Sequence, residues 1–186
     1  LDEKLTGLEK ARAWNPRTIS KLETSIRSAD DLALFRINPK AYAVERGITE
    51  AEAIDLFLHA ARLGLFQMDW HMTCPLCGDV LQSLRSLSHV SSEFACGPCK
   101  INFEANLDDY ISVSFTISPQ VRRMRYHDPE SLSPEDYVFG YKYSKDARVP
   151  GGPHVADAYK PMVRFGDRFQ PGERKSIAAK LTPGLL

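Results

Sequence analysis

The sequence predicts an α+β protein, and three observations carry that prediction. Apolar residues recur at helical spacing as far as Phe66. Two Cys-x2-Cys pairs then lie among residues that alternate with the period of two expected of strands. From His127 onward the chain holds seven of its 12 prolines and six of its 11 glycines, which exclude long helices. We therefore divide the chain into a helical, winged-helix-like unit (1–70), a zinc ribbon with a closing strand (71–118) and a loop-rich segment (119–186).

Start and stop signals predict the first helices of the helical unit. Asn38-Pro39 is a start signal, because the N–H group that proline lacks has no partner at the first helical position. Gly47 can end the same helix. Thr18 is a candidate cap for an earlier helix. The apolar face of that earlier helix comprises Ile19, Leu22 and Ile26.

A further helix follows a tight turn. Thr49 and Glu52 have the three-residue spacing of a capping box, and Gly64 stops the helix. Its predicted buried stripe comprises Ile54, Phe57, Leu58 and Ala61. Residues 65–73 then alternate as a strand with Met68, Trp70 and Met72 on one face. Helix, turn, helix and strand in this order are typical of a winged helix.

The acidic charge of this unit argues against DNA binding. Between Asp30 and Phe66 the chain has four basic and six acidic residues, and the formal net charge of the whole chain is zero. A recognition helix that opens with acidic side chains is repelled by the phosphates of a duplex. We therefore expect a packing or protein-contact role for this unit, with a DNA-binding transcription regulator as the alternative.

The four cysteines are the most informative residues of the chain. Cys74 and Cys77 form one Cys-x2-Cys pair, Cys96 and Cys99 form the other, and 18 residues separate the pairs. Four thiolates at this spacing can converge on one tetrahedral Zn²⁺. Such a site has no open position for water, which predicts a structural ion.

Glycines and histidines near the cysteines complete the prediction of the site. Gly78 and Gly97 are candidates for the loose backbone that two tight Cys-x2-Cys turns require. His71 and His89 are close enough in sequence to replace a thiolate as a ligand. Ordinary strand or loop histidines explain them better.

The second cysteine pair also matches a redox motif, Cys-Gly-Pro-Cys. In thioredoxin-like proteins that motif opens a helix, whereas Ile101 and Phe103 here alternate with polar residues as in a strand. A thiol-disulfide oxidoreductase that acts through Cys96 and Cys99 is therefore only a second alternative. A reducing cytoplasm, which keeps four thiols available to a metal, is the expected location.

A strand and a basic cluster follow the cysteines. Residues 110–117 alternate cleanly, which predicts a half-buried strand that closes the sheet of the ribbon. Arg122, Arg123 and Arg125 are then candidate contacts for an anion or a partner. The interpretation that we favour is either a solvated face or an intramolecular ion pair with Asp108 and Asp109.

The C-terminal segment is interpreted as β-leaning and as the start of a β domain. Apolar pieces at 137–143, 162–169 and 177–181, the last of them between two Pro-Gly turns, predict strand, turn and strand. Because the chain starts without methionine and ends after a turn-like Pro183-Gly184, we expect a piece of a longer protein.

Several function classes lack their motifs in this sequence. It has no apolar run near the roughly 20 residues of a membrane span. It also has no glycine-rich phosphate loop, nucleophile elbow or H-E-x-x-H helix. We therefore expect no enzymatic activity from this chain.

Residues 32–132 resemble the N-terminal region of bacterial proteins that carry a class III adenylate/guanylate cyclase domain further along. The most specific parts of the resemblance are Phe35 to Pro39, Leu56 to Phe66, both cysteine pairs, and the strand that leads into Ser118-Pro119 and Arg122-Arg123. Residues 154–186 are similar to the start of the β-rich segment that follows in those proteins. The resemblance implies a regulatory module of cyclic-nucleotide signalling whose partner is another protein or a covalently linked signalling domain.

Overall fold

The computed structural model describes residues 1–86, 93–104, 111–149 and 151–178, and it shows an α+β fold in which helices precede small antiparallel sheets. The α+β class is therefore confirmed. The helices of the N-terminal part are α1 (Asp2–Ala11), α2 (Pro16–Ser28), α3 (Asp31–Leu34), α4 (Pro39–Arg46) and α5 (Glu50–Arg62).

Two of these helices begin with the same device, an Asn-Pro pair. The side-chain oxygens of Asn15 and Asn38 accept hydrogen bonds from the N–H groups of Arg17 and Lys40, at 3.0 and 2.9 Å, and proline occupies the first turn of each helix. The prediction that Thr18 caps α2 is therefore wrong. Thr18 instead lies inside α2 and is buried. Its hydroxyl donates a hydrogen bond to the carboxylate of Glu52 at 2.9 Å and so links α2 to α5.

Helix α4 ends and α5 begins as the sequence predicts. Gly47 has a left-handed φ of 66°, and Thr49 Oγ1 accepts a hydrogen bond from the N–H of Glu52 at 3.1 Å. The predicted stripe of α5 is only partly right, because Ile54 and Leu58 are 39% and 44% exposed. The residues that α5 buries are Ala53, Leu56, Phe57 and Ala60. Alanines on that face let the helix approach the core closely.

The main sheet has the order β2-β1-β5, with β1 (Phe66–Thr73) antiparallel to both β2 (Val80–Leu84) and β5 (Ile111–Ile117). Ile37, just before α4, extends it by a bridge to Phe115, with N–H to oxygen distances of 2.7 and 2.9 Å. A separate two-stranded sheet consists of β3 (Glu93–Cys96) and β4 (Ile101–Glu104).

Strand β5 closes the sheet that contains the hairpin of the first cysteine pair, β1 and β2, and it does not pair with β3 or β4. Its last four residues, 114–117, are all buried, so only its beginning is half-buried. The reason is that β5 lies between β1 and Ile37 while the helices cover the same end of the sheet. Phe115 stacks on Phe57 of α5 at a ring-centroid distance of 5.1 Å. Tyr110 lies outside the described residues.

The β-leaning prediction for the C-terminal segment is wrong within the described residues, where 119–178 contributes only isolated bridges. Residues 137–143 fall largely in a π-helix, Asp136–Lys142, in which Tyr137 and Tyr141 stack at 5.7 Å. The remaining elements are 3-10 turns at Arg125–His127, Pro129–Ser131 and Lys160–Met162, and α6 (Val155–Tyr159). Residues 163–170 have no regular structure, and of 177–181 only the first two residues are described.

One observation concerns membranes. Among the helices formed by the described residues, none has both the length and the apolar character needed to cross a bilayer.

Candidate metal centre

The first cysteine pair lies in the tight turn between β1 and β2. The N–H of Gly78 donates to the carbonyl of Cys74 at 2.9 Å, and the N–H of Cys74 donates to the carbonyl of Asp79 at 2.8 Å. Gly78 has a φ of 70°, which is the left-handed region that glycine tolerates best. The predicted role of Gly78 is therefore confirmed.

The second pair lies in the equivalent turn between β3 and β4. The N–H of Lys100 donates to the carbonyl of Cys96 at 2.8 Å, and Lys100 has a φ of 57°. Lys100 thus occupies the position that Gly78 occupies in the first turn. The predicted role of Gly97 is wrong, because Gly97 has no positive φ and a Cβ there would meet no atom within 4 Å.

The two turns bring all four sulfur atoms within 4.8 Å of one another. The Sγ atoms of Cys74 and Cys99 are 3.9 Å apart, and those of Cys77 and Cys96 are 3.7 Å apart. A metal–sulfur bond of about 2.3 Å with tetrahedral angles requires sulfur atoms about 3.8 Å apart. All four cysteines are free thiols, so the cluster fits a single metal ion.

Burial and hydrogen bonding act differently on the four thiols. Burial raises the pKa of Cys77 and of Cys96. Burial opposes ionisation of Cys74 most strongly, but hydrogen bonds from the backbone N–H groups of Cys77 and Leu76, together with those to the thiols of Cys96 and Cys77, lower its pKa. A cation at the centre of the cluster favours the thiolate form of every ligand.

The redox alternative has little support in this geometry. The attacking thiol of a redox motif is accessible and has a lowered pKa. Cys96 instead is 2% exposed and its pKa is raised by burial. The motif is followed by strand β4 and not by a helix.

The C-terminal segment packs directly on the first turn. The N–H of Ser144 donates to the carbonyl of Gly78 at 2.9 Å, and a Cβ on Gly78 would lie 2.3 Å from the Cβ of Ala147. Lys142 lies 3.6 Å from the buried carboxylate of Asp79. No local sequence pattern signals this contact, because it joins residues more than 60 positions apart.

His71 is a strand residue, as expected, and holds the sheet together. Its Nδ1 lies 2.8 Å from the hydroxyl of Ser83 on β2, and its Nε2 lies 2.6 Å from the hydroxyl of Ser114 on β5. Burial, and secondarily the charge of Arg36, lower the pKa of His71 to about 3. A histidine–serine contact also occurs in hydrolytic triads, but a histidine with so low a pKa is a weak base, which disfavours that role here. His89 lies outside the described residues.

The basic cluster forms contacts within the chain. Arg122 donates to the carbonyl of Ile26 at 3.0 Å and to the carboxylate of Asp31 at 3.1 Å. The side chain of Arg125 pairs with Asp136 at 3.1 Å. These contacts favour the ion-pair interpretation, with Asp31 and Asp136 as partners. The predicted partners, Asp108 and Asp109, lie outside the described residues. Arg123 is exposed, and an anion contact by the cluster stays a prediction.

Comparisons with known proteins give one match. The model of a family of unknown function, DUF5939, matches residues 2–185. No curated protein and no solved structure matches the chain.

Proposed function

We propose that this chain, which belongs to the DUF5939 family of unknown function, is a non-catalytic module whose structure depends on one zinc ion bound by Cys74, Cys77, Cys96 and Cys99. The single observation that carries the proposal is the convergence of four free sulfur atoms at separations that suit a tetrahedral ion. Thiolates are soft ligands, and four of them in tetrahedral geometry select zinc or iron.

The zinc ion would act on the fold and not on a substrate. Its ligands come from two hairpins that belong to different sheets, so the ion joins the hairpin of β3 and β4 to the main sheet. When bound, zinc supplies binding free energy to folding, about 10 kcal/mol or more for structural sites. Four thiolates leave no position for a reacting water.

Metal analysis of the purified chain tests this proposal. We expect one zinc per chain in protein purified without added metal, and less than half of that in a Cys77→Ser, Cys99→Ser double variant. Iron in place of zinc would contradict the identity of the ion. Folded wild-type protein that holds no metal, with its cysteines in disulfides, would revive the redox alternative.

The biological role that we propose is contact with a signalling domain, as the resemblance to cyclase-associated regions implies. The exposed face of α5 supports a protein contact, because it presents Ile54 and Leu58 together with the acidic Glu50. The association is tested by a cyclase assay of a natural protein that contains both this region and a catalytic domain. The assay compares that protein with a variant from which this region is deleted. Equal activity and equal substrate dependence would contradict it.

DNA binding remains a second candidate because one observation favours it. The element order matches that of a winged helix: three helices, α2, α4 and α5, are followed by β1, which pairs with β5, and Ile37 bridges to β5. The exposed face of α5 opposes it through Glu50 and its apolar side chains. Retention of a DNA duplex at low salt that weakens with Arg62→Ala would favour DNA binding over the signalling role.

A further inference from the structure

Arg36 is held in an unusual environment that the metal centre does not explain. It is one of two non-glycine residues among those described with a positive φ, at 47°. Its guanidinium lies 4.7 Å from the ring centre of Phe35 and 4.8 Å from that of Tyr141. A left-handed residue of this kind stores strain, and such residues cluster at ligand sites.

Within the described ranges, no carboxylate forms an ion pair with Arg36. Its hydrogen bonds go to the carbonyl of Tyr141 at 2.5 Å and to the hydroxyl of Ser83 at 3.2 Å. Asp69 acts on it only at longer range, and burial lowers the pKa of Arg36. A half-buried cation with only neutral partners leaves a strong attraction for an anion.

Lys145 adds a second unmatched cation next to Arg36. Both line a small cavity with His71 and with Asp146, whose carboxylate accepts a hydrogen bond from the Asn38 amide at 2.9 Å. The ammonium group of Lys145 has no hydrogen bond or ion pair with any part of the chain that the structure describes. Burial, only partly offset by Asp30 and Asp146, lowers the pKa of Lys145 to about 8.

On its other side Arg36 opens onto a cleft of about 410 Å³. Strand β2, the turn of the second cysteine pair, and the π-helix form its walls. Ligand sites for small molecules range from about 300 to 1,000 Å³. Tyr137, Tyr141, Ser83 and Lys142 line the cleft with Arg36. Asp79 also lines it, but this carboxylate lies 3.6 Å from Lys142, so Arg36 supplies the net charge.

We propose that this cleft binds an organic phosphate with a planar ring, the chemistry of a mononucleotide, with Arg36 as the anchor of the phosphate. A guanidinium matches phosphate by paired hydrogen bonds, and the Ser83 hydroxyl and Lys142 ammonium stand beside it. The 42% exposed ring of Tyr137, stacked on Tyr141, gives the planar ring of the ligand a surface to stack on. Lys145 lines the adjoining cavity and not the cleft, so it raises the positive potential around Arg36 without contacting the ligand.

Calorimetric titration of the metal-loaded chain tests the proposal with AMP, adenosine and inorganic phosphate as probes. We expect AMP to bind, inorganic phosphate to bind more weakly, and adenosine to bind at least tenfold more weakly than AMP. Arg36→Gln should weaken the binding of AMP by about tenfold or more, because a charged hydrogen-bond donor is lost.

Arg17→Gln is the matched control, since it removes the same charge from an exposed side chain that does not line the cleft and should leave binding unchanged. If Arg36→Gln does not fold, Tyr137→Ala provides the second variant, with weaker binding of AMP and unchanged binding of phosphate. The proposal is overturned if folded wild-type chain binds no probe at millimolar concentration, if adenosine binds as well as AMP, or if neither substitution changes binding. Because metal content is measured separately, none of these failures bears on the zinc site.

Discussion

At the scale of single residues, His71 shows how burial fixes a protonation state. Hydroxyl groups from two strands contact both of its ring nitrogens, and the folded chain holds the imidazole neutral, with a pKa of about 3 against 6.5 in an open chain. Sequence alternation placed His71 in a strand. It could not identify Ser83 and Ser114 as partners, since the pairing of three strands creates those contacts.

The lowered pKa of His71 predicts a loss of stability in acid. Above pH 6.5 the histidine is neutral in both states, whereas below it only the unfolded chain takes up the proton. The free energy of unfolding should therefore fall as pH drops from 6.5 toward 3, by up to about 1.4 kcal/mol per pH unit. Urea unfolding of wild type and His71→Gln at several pH values measures this. Parallel pH dependences in the two proteins would contradict the account.

Gly78 is predicted to be the least replaceable glycine near the metal centre. Gly78→Ala combines a left-handed φ with a clash against Ala147, and we expect it to lower the free energy of unfolding by about 2–4 kcal/mol. Gly47→Ala has the same φ requirement in open space and should cost about 1 kcal/mol. Gly97→Ala should be neutral. Equal effects at all three sites, measured by chemical denaturation, would rule out this explanation.

At the scale of elements, the segment after β5 is tied back to the helices by Arg122. Its side chain reaches the C-terminal turn of α2 and Asp31 of α3 at once. The sequence marks this run only as a basic cluster, because the partner carboxylate lies about 90 positions earlier in the chain. Local sequence patterns cannot reveal a pairing at that distance.

Removal of Arg122 should therefore loosen the packing of the segment on α2 and α3. We expect Arg122→Gln to reduce the free energy of unfolding by about 1–2 kcal/mol, since two hydrogen bonds of a half-buried cation are lost. Arg123→Gln should change it by less than about 0.5 kcal/mol. Thermal unfolding of the two variants side by side provides the measurement. Similar melting curves for the two would show that the contact with Asp31 contributes nothing.

The hairpin of β3 and β4 is the element that depends most on the metal. It pairs with no other strand among the described residues, and isolated hairpins are marginally stable in water. Cys96→Ser should therefore raise hydrogen exchange in residues 93–104 far more than in β1 and β5, because the ion joins this hairpin to the rest. Exchange mass spectrometry resolves these segments. Unchanged protection of the hairpin in Cys96→Ser would contradict a structural role for the ion.

At the scale of the whole molecule, the parts of the fold that follow from local signals were predictable. Asn38-Pro39, Gly47 and Thr49 mark helix ends correctly, and the cysteine spacing predicts the metal cluster. The C-terminal segment was predicted wrongly as β structure. The apolar side chains of 162–169 are exposed, and these residues pair with no strand among those described, whereas residues 137–143 fall largely in a π-helix that packs on neighbouring elements. Gly140, for example, lies in the π-helix so close to Tyr126 that a Cβ would be 2.4 Å from its hydroxyl.

If four thiolates from two hairpins bind one zinc ion and stabilise the module, that coordination is visible by X-ray absorption at the zinc edge of the purified chain. We expect a first shell of four sulfur atoms at about 2.3 Å, with no oxygen or nitrogen ligand. A shell that contains oxygen or nitrogen, or folded protein without zinc, would contradict that expectation.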